Sequence, residues 1–383
     1  YLKGIYKIPY RCGYSKNIAN LFMAGRCMST SHIAFGSTRV MATLSTLGQA
    51  LGTAAYLCKK HQTTPRGIYE KHLTELQTAI MKNDQYIIGK PLPENADLCI
   101  TVSSTKKCEI TDRDGELPLA KNSAVIVPVI EKINKITLIM KIKNDTVLKY
   151  AVYAPRFREN YNPEIKLKED SITLSKTADF VPVELPVHQS IDKNKVFILL
   201  FKNEDIILAS STQNVRGVDC MVCEETKDPC ILNCDDLSVK TAIWKRLHKT
   251  LCFKIDEDIY HADNLTNGFR RPYGLPNIWI SNGKKETVTI KPNRQISNLK
   301  LVFDSNLDFY LCHTQKTSEC AFKELVKDYD VFINGRLAFA VRDNFKRVNS
   351  HNFEKLFVSE IKIEFIETNG ADNIRMYSVE VNE

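Results

Sequence analysis

Hydrophobic and polar positions divide the chain into a short helical part and a long β part. Apolar and small residues recur at helical spacing from Thr38 to Lys60, which predicts a long helix capped by the hydroxyl of Ser37 or Thr38. Apolar positions in 68–82 predict a second helix. Before the first helix, the apolar segment Leu21–Ala24 predicts a short buried strand, followed by a polar loop.

After a linker at Pro91–Asp97 the pattern changes to short apolar runs separated by turn residues, which is typical of a β-sandwich. The first group of predicted strands is Ser123–Ile130, Lys135–Ile142, Leu148–Tyr153, Val196–Phe201 and Asp205–Ala209. The second group is Glu286–Ile290, Asn298–Phe303, Tyr329–Ile333, Glu360–Ile366 and Met376–Val381. The alternation of Ile361, Ile363 and Phe365 with charged residues predicts a strand with one buried face.

These patterns predict a multidomain, mainly β protein in which a short α/β segment precedes two antiparallel, jelly-roll-like β-sandwiches. The expected divisions are an α/β segment at 1–68, a helix and linker at 69–96, a β-sandwich at 97–209, a cysteine-containing connector at 210–240 and a second β-sandwich at 241–383. A chain of 383 residues has ample length for two or three such domains.

Composition narrows the classes of partner. Charged residues make up 26% of the chain and the net charge is +8, but the basic residues are scattered, so a solvated surface explains them better than nucleic-acid binding. No apolar run is long enough to cross a bilayer as a helix, so we expect no membrane span. No signal peptide is visible, and the sequence leaves both the compartment and the oligomeric state open.

Four of the twelve cysteines cluster at Cys220, Cys223, Cys230 and Cys234. Thiolates at this spacing could bind one structural Zn²⁺ tetrahedrally. The second pair is one residue wider than in common zinc knuckles, so two local disulfides or free thiols are preferred over zinc.

The first predicted helix carries small residues on one stripe. Gly48, Gly52 and Ala55 fall at i, i+4 and i+7. Glycine within a helix costs about 1 kcal/mol relative to alanine. The stripe therefore predicts close approach of another backbone or of a flat ligand; from the stripe alone, the favoured explanation is a tightly packed core helix without a ligand.

The N-terminal motifs resemble a known family. The strings IPYRC, AGRCMS, GSTRVM and GQALGTAA follow one another closely within the segment 1–70. In this order they resemble the C-terminal end of FAD-dependent oxidoreductases of the xanthan-lyase-associated type. No GxGxxG turn, which binds the FAD pyrophosphate, occurs in these 383 residues. The resemblance thus implies the C-terminal portion of a flavoenzyme whose pyrophosphate-binding half lies upstream of Tyr1.

The resemblance implies FAD in the intact protein and none bound tightly by this portion alone. Its implied cofactor-binding residues are Gly25, Arg26, Thr38, Arg39, Val40 and Met41. The positive end of the helix and Arg39 would stabilise the negative charge of a reduced flavin. His32 and Ser29, in the loop before that helix, are candidate catalytic residues, with His32 as an acid or base. The alternative is a polar loop hydrogen-bonded to its neighbours.

A second resemblance lies in the segment 241–383. The string NLTNGFRRPYGLPNIWIS, followed by LVFDSNL and LVKDYDVFING, resembles a discoidin-type domain, the coagulation-factor type C or galactose-binding-like fold. Such domains often bind glycans through loops at one end of the sandwich. The residues that this resemblance suggests for glycan contact are Arg270, Arg271, Tyr273 and Trp279. For Trp279 the favoured alternative is a core residue beside a strand.

The two resemblances imply two alternative functions. The first is the C-terminal portion of an FAD-dependent oxidoreductase, possessing two β-sandwiches and acting on a carbohydrate-related substrate. The second is a non-catalytic carbohydrate-binding or scaffolding protein.

Overall fold

A computed structural model describes residues 6–92, 97–225, 242–247, 249–306 and 322–383. The chain forms two compact units, a helical unit at 6–94 and a β unit at 95–383. None of the described helices is long and apolar enough to cross a membrane. The mainly β fold with antiparallel sandwiches that the sequence predicted is confirmed.

The helical unit is built around one long helix. Its helices are α1 His32–Thr38, α2 Met41–Lys60, α3 Pro65–Lys71 and α4 Leu73–Lys82. One face of α2 buries Leu47, Leu51, Ala54 and Leu57. Ala54 and Leu57 pack in one cluster with Ile68 of α3 and with residues of α4, so three helices share a small core. With 20 residues, α2 is the longest helix of the described residues, as predicted.

The predicted helix boundaries shift because the backbone breaks between α1 and α2. Val40 is extended (φ −74°, ψ 134°), so α2 begins at Met41 and neither Ser37 nor Thr38 caps it. Both of those residues belong to α1, a helix where the sequence predicted a loop, and Ser31 caps it by accepting a hydrogen bond from the Ala34 amide at 3.3 Å.

Two other local predictions also change. The predicted strand at Leu21–Ala24 amounts to a single bridge between Tyr14 and Phe22. The predicted helix at 68–82 is two helices, because the backbone of His72 (φ −128°, ψ 18°) separates α3 from α4.

The first sandwich of the β unit packs a seven-stranded sheet against a six-stranded sheet, and all of its strand pairs are antiparallel. The seven-stranded sheet contains β2 Glu109–Ile110, β3 Gly115–Pro118, β5 Lys132–Ile142, β8 Val181–Ser190, β10 Ile206–Ser211, β13 Thr250–Leu251 and β14 Phe253–Ile255. The six-stranded sheet contains β4 Ser123–Val129, β6 Thr146–Ala154, β7 Ile165–Leu174, β9 Asn194–Leu200, β11 Asp219–Glu225 and β12 Ala242–Arg246. Inward residues of both sheets form one core cluster.

The second sandwich packs a five-stranded sheet against a four-stranded sheet. The five-stranded sheet has the order β1 Cys99–Val102, β16 Thr287–Lys291, β21 Ile361–Thr368, β18 Val326–Ile333 and β19 Arg336–Val341. The four-stranded sheet has the order β15 Trp279–Ile280, β22 Arg375–Asn382, β17 Arg294–Phe303 and β20 Val348–Val358. Ile361, Ile363 and Phe365 are buried in its core, so the predicted alternation of β21 is confirmed.

The chain passes between the two sandwiches more often than the predicted divisions imply. β1 lies within the predicted first sandwich but pairs with β16 of the second. β13 and β14 lie within the predicted second sandwich but pair with β10 and β5 of the first. β11 crosses the predicted connector as a strand of the six-stranded sheet. Part of the predicted connector, 226–240, lies outside the described residues.

Candidate functional site

The candidate flavin residues lie in the turn before α1 and at the junction of α1 and α2. Gly25 and Arg26 form a 3-10 turn with Cys27, and Gly25 adopts the left-handed φ of +85°, which glycine tolerates best. Met28, directly after this turn, is buried against Leu47 and Leu51 of α2. The turn and the long helix are therefore held together by the same small apolar cluster.

The start of α2 is an uncapped helix terminus. Its N-cap residue, Val40, offers no side-chain hydrogen bond, and Val40 and Met41 are 55% and 85% exposed. The first amides of a helix lack partners within the helix, and together they carry about half a positive charge. Arg39, exposed just before this terminus, adds a full charge. Such a terminus fits an anionic group such as the reduced flavin ring.

A second, independent observation at this junction is a buried polar atom. The Thr38 side chain is buried, yet its Oγ1 has no hydrogen-bond partner among the described residues. A buried hydroxyl without a partner costs free energy, so such groups are uncommon in complete protein interiors.

The remaining candidate residues of this segment are accessible. His32, at the first position of α1, is exposed, and so is Ser29. The Ser29 amide donates a hydrogen bond of 2.8 Å to the Cys12 carbonyl, which fixes the loop backbone. The guanidinium of Arg26 lies 5.8 Å from the ring centroid of Phe35 in α1. The segment thus brings Arg26 close to α1.

The small stripe of α2 has a different environment from the one expected. A Cβ added at Gly48 or Gly52 would meet no described atom within 4 Å. Gly52 and Ala55 are exposed, and the buried face of α2 lies on the other side of the helix. No backbone of the described residues closely approaches Gly48 or Gly52, so the close approach of a backbone or a flat ligand stays a prediction.

The two described members of the cysteine cluster lie on β11. Cys220 is 2% exposed, belongs to the core cluster of the first sandwich, and accepts a hydrogen bond from the Leu251 amide at 3.2 Å. Burial raises the pKa of its thiol to about 12, which disfavours the thiolate that binds zinc. Cys223 is three positions along the strand, so its side chain points to the opposite face. Cys230 and Cys234 lie outside the described residues.

Two of the four candidate glycan residues are buried. Trp279 is fully buried, and its indole N–H donates a hydrogen bond of 3.1 Å to the Ser104 carbonyl, so it is a core residue that joins β15 to the segment after β1. Arg270 is 6% exposed and pairs with Glu380 of β22, with its Nε 2.8 Å from Oε1. Neither side chain is available to a sugar in this conformation.

The other two candidates, Arg271 and Tyr273, are half-buried in the loop before β15. The Tyr273 ring stacks on Phe269, with centroids 5.7 Å apart. This loop packs against a neighbour that the sequence did not indicate. A Cβ added at Gly274 would lie 3.3 Å from the Cβ of Arg158 and 2.7 Å from the carbonyl oxygen of Lys193.

The loop between β6 and β7, together with the nearby Asp192 and Lys195, presents further groups suited to a polar ligand. Arg158 pairs with Asp192 at 2.6 Å, and the rings of Phe157 and Tyr161 are 46% and 43% exposed. The Lys195 ammonium lies 4.4 Å from the centroid of the Tyr161 ring. Burial lowers the pKa of Lys195 to about 8. We call Phe157, Arg158, Tyr161, Asp192 and Tyr273 the loop surface.

Solved structures similar to part of this chain are carbohydrate-binding modules. A family 32 carbohydrate-binding module from Streptococcus pneumoniae EndoD is 18% identical, covers 33% of this chain and 88% of its own, and has a TM-score of 0.27. A fucose-binding module from Streptococcus pneumoniae is 12% identical, with coverages of 33% and 84% and a TM-score of 0.25. The family 32 module of Clostridium perfringens NanJ, in complex with galactose, is 14% identical, with coverages of 33% and 86% and a TM-score of 0.23. At these TM-scores the likeness carries no argument about this chain.

Comparison with curated proteins gives no match. A family model described as FAD dependent oxidoreductase matches residues 1–80. The match covers the segment that contains the 3-10 turn, the junction of α1 and α2, and α2 itself. It confirms, for residues 1–80, the resemblance to the FAD-dependent oxidoreductase family.

Proposed function

We propose that residues 1–80 form the C-terminal part of the flavin-binding fold of an FAD-dependent oxidoreductase whose pyrophosphate-binding half lies upstream. In the intact protein, FAD would be held by Gly25, Arg26 and the junction residues Thr38, Arg39, Val40 and Met41. The observation that carries the proposal is the exposed, uncapped start of α2 with Arg39 beside it. The match of residues 1–80 to the family model supports it.

FAD, when bound, would supply the redox chemistry by accepting or giving up a hydride equivalent. The contribution of this chain is electrostatic. Fixed amide dipoles and the Arg39 guanidinium stabilise an anionic group without the reorganisation that water would need. His32 and Ser29 would lie on the substrate side, where His32 can hold or release a proton near neutral pH. We propose a carbohydrate-related substrate for the intact enzyme.

Flavin retention in the protein expressed from the complete reading frame tests this proposal. Gly52→Leu places a large side chain on the exposed stripe of α2 and should reduce the FAD bound per protein. Gln49→Leu is the matched control, because its side chain points elsewhere on the same helix and reaches the Asn83 carbonyl. Arg39→Ala should retain FAD better than Gly52→Leu does, but it should slow flavin reduction.

The absorbance of bound oxidised flavin and the rate of its bleaching by a reductant give the two measurements. Equal FAD content in the Gly52→Leu and Gln49→Leu proteins would contradict the idea that the stripe of α2 is covered in the intact protein. An unchanged reduction rate in Arg39→Ala would remove the electrostatic role of Arg39. The chain as given, which lacks the pyrophosphate-binding half, should bind FAD weakly in either case.

We also propose that the loop surface binds a carbohydrate. Exposed aromatic rings stack on the apolar faces of sugars, while paired Arg and Asp side chains hydrogen-bond to hydroxyl groups. The loop surface combines both kinds of group within one part of the β unit. This proposal replaces Trp279 and Arg270 by Phe157, Arg158, Tyr161 and Asp192 as candidate contacts and retains Tyr273, whereas Arg271 lies in the same loop as Tyr273 but outside the loop surface as defined.

Binding of the chain to a glycan microarray, before and after substitution, tests the loop surface. Tyr161→Ala should lower the signal of any glycan that binds. Phe345→Ala, which removes a ring that is 61% exposed elsewhere in the β unit, should not. If both variants retain the full signal, the contact lies elsewhere. If no glycan binds, the carbohydrate function is rejected.

A further inference from the structure

Three metal-ligating side chains meet where the ends of α2 and α4 converge. His61 follows the last residue of α2, His72 precedes the first residue of α4, and Glu75 lies in the first turn of α4. His61 Nε2 lies 2.8 Å from Glu75 Oε2, and His72 Nδ1 lies 3.6 Å from the same oxygen. One ligand atom from each residue lies within 4.8 Å of the other two.

The two imidazole rings are parallel neighbours. Their centroids are 4.0 Å apart and their planes differ by 12°. Each neutral imidazole carries one N–H and one lone pair, so each ring can either donate a hydrogen bond to the shared carboxylate oxygen or offer its lone pair to a cation. A metal cation among the three ligand atoms would take the lone pairs of the two rings and one carboxylate oxygen.

The surroundings favour a cation at this position. His61 caps the C-terminal end of α2, where the helix dipole places about half a negative charge, and its amide donates to the Leu57 carbonyl at 2.9 Å. Lys60, a neighbouring cation, bonds to the other oxygen of the Glu75 carboxylate, Oε1, at 2.8 Å. The second oxygen of Glu75, Oε2, therefore faces the two imidazole rings.

From these observations we propose that His61, His72 and Glu75 bind a divalent transition-metal ion, with zinc the best match to the ligand set. Two imidazoles and one carboxylate are a known set of protein ligands for Zn²⁺, with water in the fourth position. A tetrahedral site with metal–ligand bonds of about 2.05 Å places neighbouring ligand atoms about 3.3 Å apart. The observed separations of 2.8 and 3.6 Å lie on either side of that value.

The rings must tilt to bind one ion, because each nitrogen lone pair lies in the plane of its own ring. His61 and His72 can do so without disturbing the core, since their side chains are 25% and 27% exposed and both lie at helix ends. The bound ion would tie the end of α2 to the start of α4. This metal site is separate from the four-cysteine cluster considered in the sequence.

Metal titration of the whole chain tests the proposal. After treatment with a chelator, the protein should bind one equivalent of Zn²⁺ or Ni²⁺ that depends on these residues. Ni²⁺ is the more selective probe, because imidazole suits it better than thiolate does. His72→Asn and Glu75→Gln should each weaken this equivalent by more than about tenfold, the smallest loss expected even for a group that only supports a ligand.

His188→Asn is the matched control. His188 is exposed in the β unit and has a left-handed φ of 52°, which asparagine tolerates, so this variant should bind the metal as the unchanged protein does. Equal metal affinity in His72→Asn, Glu75→Gln and His188→Asn would overturn the proposal. Circular dichroism establishes that each variant is folded.

A second measurement on the unchanged protein decides the question if the ligand variants unfold. Diethyl pyrocarbonate modifies neutral imidazole rings, and mass spectrometry locates the modified histidines. Zn²⁺ should slow modification of His61 and His72 by more than about tenfold, the same factor as for affinity, and leave His188 unaffected. Equal rates with and without the metal would show that the three residues form only a hydrogen-bonded cluster.

Discussion

Replacing Glu380 by glutamine should strongly destabilise the β unit. Glu380 and Arg270 are each 6% exposed, and the Nε of Arg270 lies 2.8 Å from Glu380 Oε1. Ser378 also donates a hydrogen bond of 3.2 Å to this oxygen. The substitution keeps the size and shape of the side chain but removes the negative charge that Glu380 presents to the buried Arg270 guanidinium.

The magnitude follows from this burial. Removing one partner of a buried ion pair costs about 3–5 kcal/mol, because the remaining buried charge loses the opposite charge of that partner. Replacing both partners together, as in Arg270→Met with Glu380→Leu, should recover most of that loss. Lys355→Ala provides the contrast. It breaks the Lys355–Glu383 pair, whose side chains are 51% and 69% exposed, and should cost at most about 1 kcal/mol.

Urea unfolding followed by tryptophan fluorescence is the appropriate assay. The chain contains two tryptophans, Trp244 and Trp279, and both lie in the β unit, so the signal reports on that unit alone. A shift in midpoint at constant slope would measure the change in the free energy of unfolding. A loss below about 1 kcal/mol for Glu380→Gln would refute the assignment of Arg270 to a buried structural pair. It would also return Arg270 to the candidate glycan contacts.

Three other outcomes are expected. Burial lowers the pKa of Lys195 from 10.5 to about 8, so the unfolded chain binds more protons between these values. Stability should therefore rise with pH across that window relative to Lys195→Met, and parallel pH profiles would contradict the buried amine. Gly52→Ala in the chain as given should stabilise the helical unit by about 0.5–1 kcal/mol, measured by thermal circular dichroism, because no described atom opposes the new methyl group. A loss of stability would indicate a close neighbour. Cys220 should react with N-ethylmaleimide far more slowly than the exposed Cys27 and Cys99, because burial both shields its thiol and raises its pKa to about 12; equal labelling rates, mapped by mass spectrometry, would show an accessible thiol.

The strands were the most predictable part of the molecule. All ten strands predicted after residue 97 overlap observed strands, because the apolar pattern of a strand reflects how many of its faces are buried. For example, the predicted Ser123–Ile130 is observed as Ser123–Val129, with every residue buried. Strands without a regular alternation of apolar and polar residues were missed. β20 is an example, since most of its residues are half-buried or exposed and nothing in its alternation identifies its partner, β17.

Strand partners could not be read from local sequence. β1 and β16 are separated in the chain by the whole of the first sandwich, yet the two pair in register from Cys99 and Lys291 onward. Their pairing depends on which sheet has an open edge, and that is a property of the complete fold. The burial of Trp279 and Arg270 has the same origin, because β22 supplies Glu380 and the segment after β1 supplies the Ser104 carbonyl.

The His61–His72–Glu75 cluster was also missed by the sequence patterns. One signal could have indicated it: a histidine at the start of α4 is followed three residues later by glutamate, and another histidine lies at the end of α2. His72 and Glu75 can meet because they are i and i+3. Their contact with His61 depends on how α2 and α4 pack, which the spacing of residues does not specify.

The glycines in the stripe of α2 lower the stability of the helix, and this loss indicates a role in an interaction outside the helical unit. A helix gains stability when alanine replaces an exposed glycine, by about 1 kcal/mol. Gly48 and Gly52 give up this gain, although no described atom approaches their missing side chains. Core packing within residues 6–92 therefore cannot be the reason for either glycine. The same helix begins without a cap and with Val40 and Met41 exposed. Under the proposed function, a further backbone and the flavin would cover this surface in the intact protein, which would account for the glycines, the missing cap and the exposed side chains together.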